Sequence, residues 1–309
     1  METIIQPISR ALIKEELTAD CCLKDLSRGA CQLYRVDNAI APNTLQEIGR
    51  RREIAFRSAG GGTGKAMDLD RFDLDPALGF GQLILWDAEA EEIMGGYRLL
   101  PGNRCRLDKN GQPDMPSAHL FHFSREFIER RLPKTLELSR SFIIQTHQRT
   151  KLDGRRSIFV LDCLFMGICA LLHRYGMEAI FGKVTFYPDY PQDAFALVTA
   201  FMQKYGLDQT SIRPHQAYSV PAAKNTDILF TEDNFKADFL ALNQALRKMG
   251  ASLPPLLKTY IREASRFSYY GSAVNDLFGN VVEMGLLIGA ADILPQRYAT
   301  LIHPDCPCH

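Results

Sequence analysis

Hydrophobic patterning divides the middle of the chain into a strand, a long helix and a second strand. Residues 136–143 alternate in character, and residues 158–172 form an apolar run that predicts a buried helix ending near Tyr175. Residues 178–186 follow and predict another strand. Because a strand–helix–strand crossover is almost always right-handed, these two strands should be parallel.

Shorter patterns place further elements around this unit. Residues 82–86 and 92–100 predict a β-hairpin at the edge of an antiparallel sheet, since only a polar turn separates them. Helices are predicted over 44–56, 193–205 and 235–249, and a strand over 281–288. A hairpin feeding a parallel crossover is an α+β plan. We divide the chain into an N-terminal arm (1–44), a main domain (45–302) and a tail (303–309).

Composition and charge narrow the class of protein. The 309 residues are 46% hydrophobic and 23% charged, which excludes a disordered chain. Lys+Arg and Asp+Glu are both 36, so there is no global basic field and we expect no nucleic-acid partner. Arg10 and Lys14 interrupt any secretory segment, and Asp162 interrupts the longest apolar run. We therefore expect a cytoplasmic protein with reduced cysteines.

Two motifs suggest ligands but fit them poorly. Residues 59–66 resemble a phosphate-binding loop, yet Ala59 and Ala66 stand where the pattern needs Gly and Ser or Thr. A mobile loop is the better interpretation. Cys306, Cys308 and His309 offer soft metal ligands, but a chain end is a poor place for a rigid site. We expect no metal.

One predicted strand carries a candidate catalytic carboxylate. Glu137 lies among apolar residues and shares a face with Ser139 and Ser141, while Arg140 falls on the opposite face. Burying a carboxylate without partners is costly. Either Glu137 pairs with a structural arginine such as Arg98, or it is held in a cleft to receive an amine; the residues alone leave both open.

A basic cluster precedes the long helix. Cations beside the free N–H groups of a helix start suit a phosphate, although a solvated surface run has the same pattern. The Gly-rich loop that usually binds the pyrophosphate of coenzyme A is missing here, and only Gly154 is present. A phosphopantetheine arm on an acidic carrier protein therefore fits the sequence better than free coenzyme A. The cluster consists of Arg149, Lys151, Arg155 and Arg156.

A series of short motifs runs in order along residues 45–302. They are Arg52 and Phe56, 70–73 with Asp87, 96–100, 120–121, 136–142, 181–184 and 253–260. Together these motifs resemble the N-acyltransferases of amino-acid lipid biosynthesis, which are relatives of ornithine-lipid and glycine-lipid synthases and are often labelled hemolysin. The chain is also similar to the acyl-homoserine-lactone synthases, but it has no Trp between Phe56 and Asp70.

The resemblance implies a GNAT-like acyltransferase fold, a mixed sheet in which two parallel strands splay apart. It also implies transfer of a long, often 3-hydroxylated acyl group from acyl carrier protein to the α-amine of an amino acid. No cofactor would be tightly bound, and acyl-coenzyme A is a less expected donor. A separate O-acyltransferase would act on the product, and contact with the inner membrane would be peripheral.

The resemblance also assigns roles to residues. Catalysis falls to Glu137, Ser139 and Arg140, and substrate binding to Arg52, Phe56, Asp70, Asp73 and Arg98. Strand alternation favours Arg98 over Arg140 for direct contact with the substrate. Two other functions stay open: a non-catalytic acyl-binding protein on the same scaffold, and a signal synthase that uses S-adenosylmethionine.

Overall fold

An eight-stranded mixed sheet forms the centre of the molecule in a computed structural model that describes residues 1–26, 30–144, 154–219, 230 and 234–294. Its strand order is β1-β2-β3-β4-β6-β7-β10-β9, and β5 and β8 form a separate two-stranded sheet. The strands are β1 (Cys22–Leu26), β2 (Cys31–Val36), β3 (Gly81–Asp87), β4 (Glu92–Pro101), β5 (Phe121–Phe123), β6 (Thr135–Ile143), β7 (Ala179–Phe186), β8 (Ile212–Pro214), β9 (Ser268–Asn275) and β10 (Val281–Gly289).

Helices flank this sheet, which confirms the α+β class. The predicted helices correspond to α2, α4, α5 and α6, and the predicted crossover is present because β6 and β7 pair in parallel. The helices are α1 (Arg10–Glu16), α2 (Pro42–Ser58), α3 (Arg71–Leu74), α4 (Gly154–Tyr175), α5 (Gln192–Gly206), α6 (Phe235–Lys248) and α7 (Pro255–Glu263).

The predicted hairpin exists as β3 and β4, but its place at the sheet edge is wrong. Strand β2 pairs with β3 along its whole length, with Leu33 opposite Leu85. Both strands β1 and β2 come from residues 1–44, the predicted N-terminal arm, which also contains α1. Leu33 and Val36 of β2 are completely buried. Their packing against neighbouring side chains stabilises the pairing of β2 with the rest of the sheet.

Helix α4 is the central core helix. Val160, Leu164, Ile168 and Leu171 along it are each 0% exposed, and it packs against β3 and β4. Its segment Arg156–Tyr175 is long and apolar enough to cross a membrane, but 61% of its most apolar window is buried inside the protein. That burial is typical of a core helix.

The parallel pair β6–β7 opens partway along its length. Its ladder runs from Thr135–Ala179 to Leu138–Gly182 and ends there, although β6 continues to Ile143 and β7 to Phe186. Beyond that point β6 stays paired with β4, and β7 stays paired with β10. A gap therefore opens between two strands that remain firmly held in the sheet.

Candidate active site

A cavity of about 460 Å³ occupies this gap. The diverging strands supply residues 139–143 of β6 and 183–185 of β7, and α2 supplies Phe56. Part of the wall is apolar and part carries polar side chains, the division expected of a site that binds an amphiphilic substrate. The apolar part includes Ala55, Phe56, Phe142, Leu161, Leu256, Tyr260 and Phe278, and the polar part includes Asp70, His119, Ser139, Arg140, Lys183, Asn275 and Glu283.

A β-bulge in β6 places Arg140 at this cavity. Arg98 of β4 pairs with Ser139 and Gly96 pairs with Phe142, so Arg140 and Ser141 together face Tyr97 alone. Arg140 has φ of 51°, a left-handed conformation that is costly for a residue other than glycine. Such strain persists where surrounding contacts hold it. Here Arg140 Nε lies 2.9 Å from Asp68 Oδ2 and the guanidinium lies 4.5 Å from the centre of the Phe278 ring.

The bulge overturns the sequence prediction about the two arginines. Alternation assigned Arg140 to the face away from Glu137 and favoured Arg98 for substrate contact. The extra residue breaks that alternation, so Arg140 lines the cavity, with a side chain that is 17% exposed. Arg98 is 0% exposed and lies behind the cavity wall.

Behind that wall, two arginines and two carboxylates form a charged network, of which Arg52, Arg98 and Asp73 are fully buried. Arg98 donates to Asp73 Oδ2 at 2.8 Å and to Asp70 Oδ1 at 2.7 Å, and Arg52 donates to Asp73 Oδ1 at 2.9 Å and to Gln82. Burial alone would raise the pKa of Asp73, but the guanidiniums of Arg98 and Arg52 outweigh it and hold the pKa well below its usual range. The network fixes α2, α3 and β4 to one another.

This network explains the acidic motif at 70–73. Asp70 caps the start of α3 by accepting from the N–H of Phe72, and Asp73 accepts in return from the N–H of Asp70. Of the predicted substrate-binding residues, Phe56 and Asp70 line the cavity. Arg52, Asp73 and Arg98 do not reach it, and their contacts support a scaffold role.

Glu137 reaches the cavity through a serine hydroxyl. It is 1% exposed and accepts from Ser117 Oγ at 2.8 Å and from Ser139 Oγ at 3.3 Å. Ser139 lines the cavity and itself accepts from Arg98 Nε at 3.2 Å. Ser139 therefore links Glu137 to Arg98. The sequence left open whether Glu137 pairs with a structural arginine or serves as a carboxylate in a cleft, and this hydrogen-bond network is compatible with both.

A second polar cluster, which was not predicted from the sequence, lies on the other side of the gap. Lys183 Nζ donates to Ser117 Oγ at 3.2 Å and lies 3.6 Å from Glu283 Oε2, and Asn275 Nδ2 donates to Glu283 Oε1 at 3.2 Å. Glu283 carries the same signal as Glu137, a carboxylate inside an apolar strand. The sequence therefore contained the signal for Glu283, but it did not show that Lys183 of β7 and Asn275 of β9 are its partners.

The Gly-rich segment is held in place rather than free. Glu53 of α2 accepts from the N–H of Thr63 at 3.1 Å and of Gly64 at 2.7 Å, and it also accepts from the Thr63 hydroxyl and Arg57 Nε. Burial would raise the pKa of Glu53, but these donors together lower it. A carboxylate thus occupies N–H groups that a phosphate would need, which agrees with the sequence argument against a phosphate-binding loop.

Part of the predicted basic cluster lies outside the described residues. Arg149, Lys151 and the side chain of Arg155 fall there, as do Cys306, Cys308 and His309. Arg156 is exposed in the first turn of α4. The next residue, Ser157, is buried and lines the cavity, so this end of α4 adjoins the candidate site.

Comparisons with known proteins agree with this geometry. Residues 51–154 match the family model described as Acetyltransferase (GNAT) domain. Over 320 aligned positions the chain is 39% identical to a Glycine N(alpha)-acyltransferase of Bacteroides thetaiotaomicron, covering 100% of this chain and 94% of the relative. It is also 39% identical to the protein of that name from Phocaeicola vulgatus, covering 96% and 91%.

The solved structures that resemble this chain are more distant in sequence. FeeM, an N-acyl amino acid synthase from uncultured soil microbes, is 10% identical, with a TM-score of 0.42 over 85% of this chain and 92% of that one. The AHL synthase LasI is 14% identical, with a TM-score of 0.41 over 85% and 95%. The curated relatives and the family model confirm the resemblance and the GNAT-like fold that the sequence implied. The chain therefore belongs to the GNAT acyltransferases, in one family with the two glycine N(alpha)-acyltransferases, and it is an acyltransferase.

Proposed function

We propose that this enzyme transfers a long, 3-hydroxylated fatty acyl group from acyl carrier protein to the α-amine of glycine. The names of the two relatives support the acceptor. The observation that carries the reaction is the cavity between the splayed strands, which Ser139 lines and Glu137 backs through a hydrogen bond. The product is an N-acyl amino acid, a precursor for amino-acid lipids.

Proton removal is the first requirement of this chemistry. The α-amine arrives mostly protonated, because its reference pKa is about 7.7–8.0 at a peptide terminus and higher in a free amino acid. Ser139 Oγ donates to Glu137 and accepts from Arg98, which leaves one lone pair towards the cavity. An amine proton passes to that oxygen while the serine proton passes to Glu137 Oε2. Glu137 is then the base and Ser139 its relay.

Bond formation follows at the thioester carbonyl. The amine nitrogen forms a bond to carbon and the carbon–sulfur bond breaks, so the thiolate leaves. The nitrogen gives up its second proton, which the thiolate takes, and the products are a neutral amide and a thiol. The parallel ladder ends at Leu138–Gly182, so backbone N–H groups on the gap side of β7 beyond that point would stabilise the oxyanion. The apolar wall formed by Phe56, Phe142 and Phe278 receives the acyl chain.

The acceptor's carboxylate needs a cation at the cavity. Arg140 is the arginine placed there, with a partly exposed guanidinium already oriented by Asp68. Arginine suits a carboxylate because its fork of donors matches two oxygens. We therefore assign the contact to Arg140, in place of Arg98.

The donor and the location follow from the same reaction. A carrier protein is acidic, so Arg156, with its basic neighbours in sequence, would guide docking of the phosphopantetheine arm at the start of α4. The enzyme would work in the cytoplasm with peripheral contact to the inner membrane, where a separate O-acyltransferase takes its product.

The test is a direct assay of the purified full chain. The 3-hydroxyacyl thioesters of acyl carrier protein and of coenzyme A are each offered with glycine and with other amino acids, and N-acyl products are identified by mass spectrometry. N-acylglycine from the carrier-protein donor is the expected result. A lactone formed with S-adenosylmethionine, or no product from any pair, would overturn the proposal.

A further inference from the structure

Two buried side chains at the cavity hold acceptor atoms that receive no hydrogen bond. Asn275 is 7% exposed and Glu283 is 4% exposed, and both line the cavity. Asn275 Oδ1 and Glu283 Oε2 find no donor within hydrogen-bond distance among the described residues. A buried polar atom left in this state is costly, so its persistence at a cavity points to a ligand that supplies the donor.

The sheet register fixes these two atoms together. Glu283 of β10 lies opposite Ala273 of β9, and Asn275 lies opposite Val281, so the two polar side chains are diagonal neighbours on one face. Asn275 Nδ2 donates to Glu283 Oε1, which turns the amide oxygen and the second carboxylate oxygen towards other partners. Glu283 lies on β10, between β7 and β9, whereas Asn275 is the last residue of the edge strand β9, where its amide is held by Glu283.

The surrounding charge favours a cation as the missing ligand. Lys183 is the ammonium that lies between two carboxylates, 3.6 Å from Glu283 and joined to Glu137 through the hydroxyl of Ser117. Among these three charged side chains two are carboxylates and one is an ammonium, and the guanidinium of Arg98 meets Glu137 only through Ser139. A neutral hydroxyl would use one acceptor atom, whereas an ammonium offers three N–H groups and also neutralises the excess.

From this arrangement we infer that Glu283 and Asn275 bind the α-ammonium of the amino-acid acceptor. The inference rests on the proposed function and adds its acceptor subsite. Two of the three N–H groups bond to Glu283 Oε2 and Asn275 Oδ1, and the third is left for Ser139 on the opposite wall of the cavity. Arg140 takes the carboxylate, so the acceptor is held at both ends before its amine is deprotonated.

Steady-state kinetics with saturating acyl donor test this directly. Glu283→Gln keeps the shape and removes the charge, so it should raise KM for glycine ~10-fold or more while changing kcat and the donor KM less. Asn275→Ala should act in the same direction. Glu178→Gln is the matched control, because it removes an exposed carboxylate paired with Lys134 and should leave all three constants unchanged.

Two fragment inhibitors separate a binding role from a structural one. Methylammonium imitates the amine end of glycine and acetate imitates its carboxylate end. Glu283→Gln should weaken inhibition by methylammonium and leave inhibition by acetate unchanged. Equal weakening of both fragments would indicate a distorted cavity and would overturn the inference.

Other outcomes are equally decisive. An unchanged glycine KM, a loss of kcat alone, or a raised KM confined to 3-hydroxylated donors would each assign Glu283 to another task and overturn the inference. If the wild-type enzyme forms no N-acylglycine, the proposed function has failed instead, and that result is seen before any variant is made.

Discussion

Replacing Glu137 by Gln tests the proposed proton path most directly. The substitution keeps the side-chain shape while removing the base, and general-base catalysis contributes typically ~10²–10⁴ in rate. Ser117 and Ser139 now donate to different oxygens of Glu137, so the hydroxyl that faces the new NH2 group can rotate and accept from it while the other keeps donating to the amide oxygen. The cost in stability should therefore be only about 1–2 kcal/mol, and the variant should fold.

The proposed relay also predicts the effect of replacing Ser139. Since Glu137 is 1% exposed and meets the cavity through this hydroxyl, Ser139→Ala should lower kcat by a factor similar to that of Glu137→Gln. The double variant should lose little more than either single one, because both act on one step. Ser117→Ala is the control: it removes the shorter hydrogen bond of Glu137 but leaves the path to the cavity intact.

The assay is thiol release from the acyl donor under saturating substrates, measured from about pH 6 to 9, with thermal unfolding of each variant in parallel. A folded Glu137→Gln enzyme that works within a fewfold of wild type at every pH would make Glu137 structural. If the fold-loss in kcat of the double variant equals the product of the two single losses, Glu137 and Ser139 act separately and the relay is wrong.

Three further predictions concern docking, acid stability and membranes. Reversing Arg155 and Arg156 to Glu should raise KM for acyl carrier protein and flatten its salt dependence; unchanged kinetics at low salt would exclude that patch. The lowered pKa of Asp73, set by burial and the stronger opposing effect of Arg98 and Arg52, adds stability above about pH 4 that is lost as pH falls. In urea unfolding, Asp73→Asn should thus show a flatter acid limb than wild type, and an unaltered limb would contradict this. Carbonate should strip the protein from membranes, whereas release by detergent alone would contradict a peripheral contact.

The sequence predicted best what depends on nearby residues. The crossover of β6, α4 and β7 was found because an apolar helix and two flanking strands are long, regular and adjacent. The place of the β3–β4 hairpin was wrong because its neighbour β2 pairs with it from outside the predicted domain. Strand β9 was missed: it is only partly buried, and Gly271 within it has φ of 91°.

The site was harder to predict for the same physical reason. Glu137 stood out as a carboxylate inside an apolar strand, but its face was assigned by simple alternation. No Gly or Pro marks the bulge at Arg140, since its left-handed backbone is held by Asp68 and Phe278 from distant parts of the chain. Glu283 carried an equal signal, and only the register of β9 and β10 identifies Asn275 as its partner.

The two carboxylates together suggest how the site takes up an acceptor and lets the product go. Glu137 and Glu283 lie on opposite sides of the gap and are joined through Ser117 and Lys183. A bound ammonium places a positive charge between the two carboxylates. When its proton moves to Glu137, one positive and one negative charge disappear together and no new charge is created. This lowers the cost of deprotonating an amine in a cavity that excludes water. Acylation then turns the amine into a neutral amide with one N–H. The product has lost the charge that held it to Glu283, so the reaction itself weakens the contact that captured the substrate.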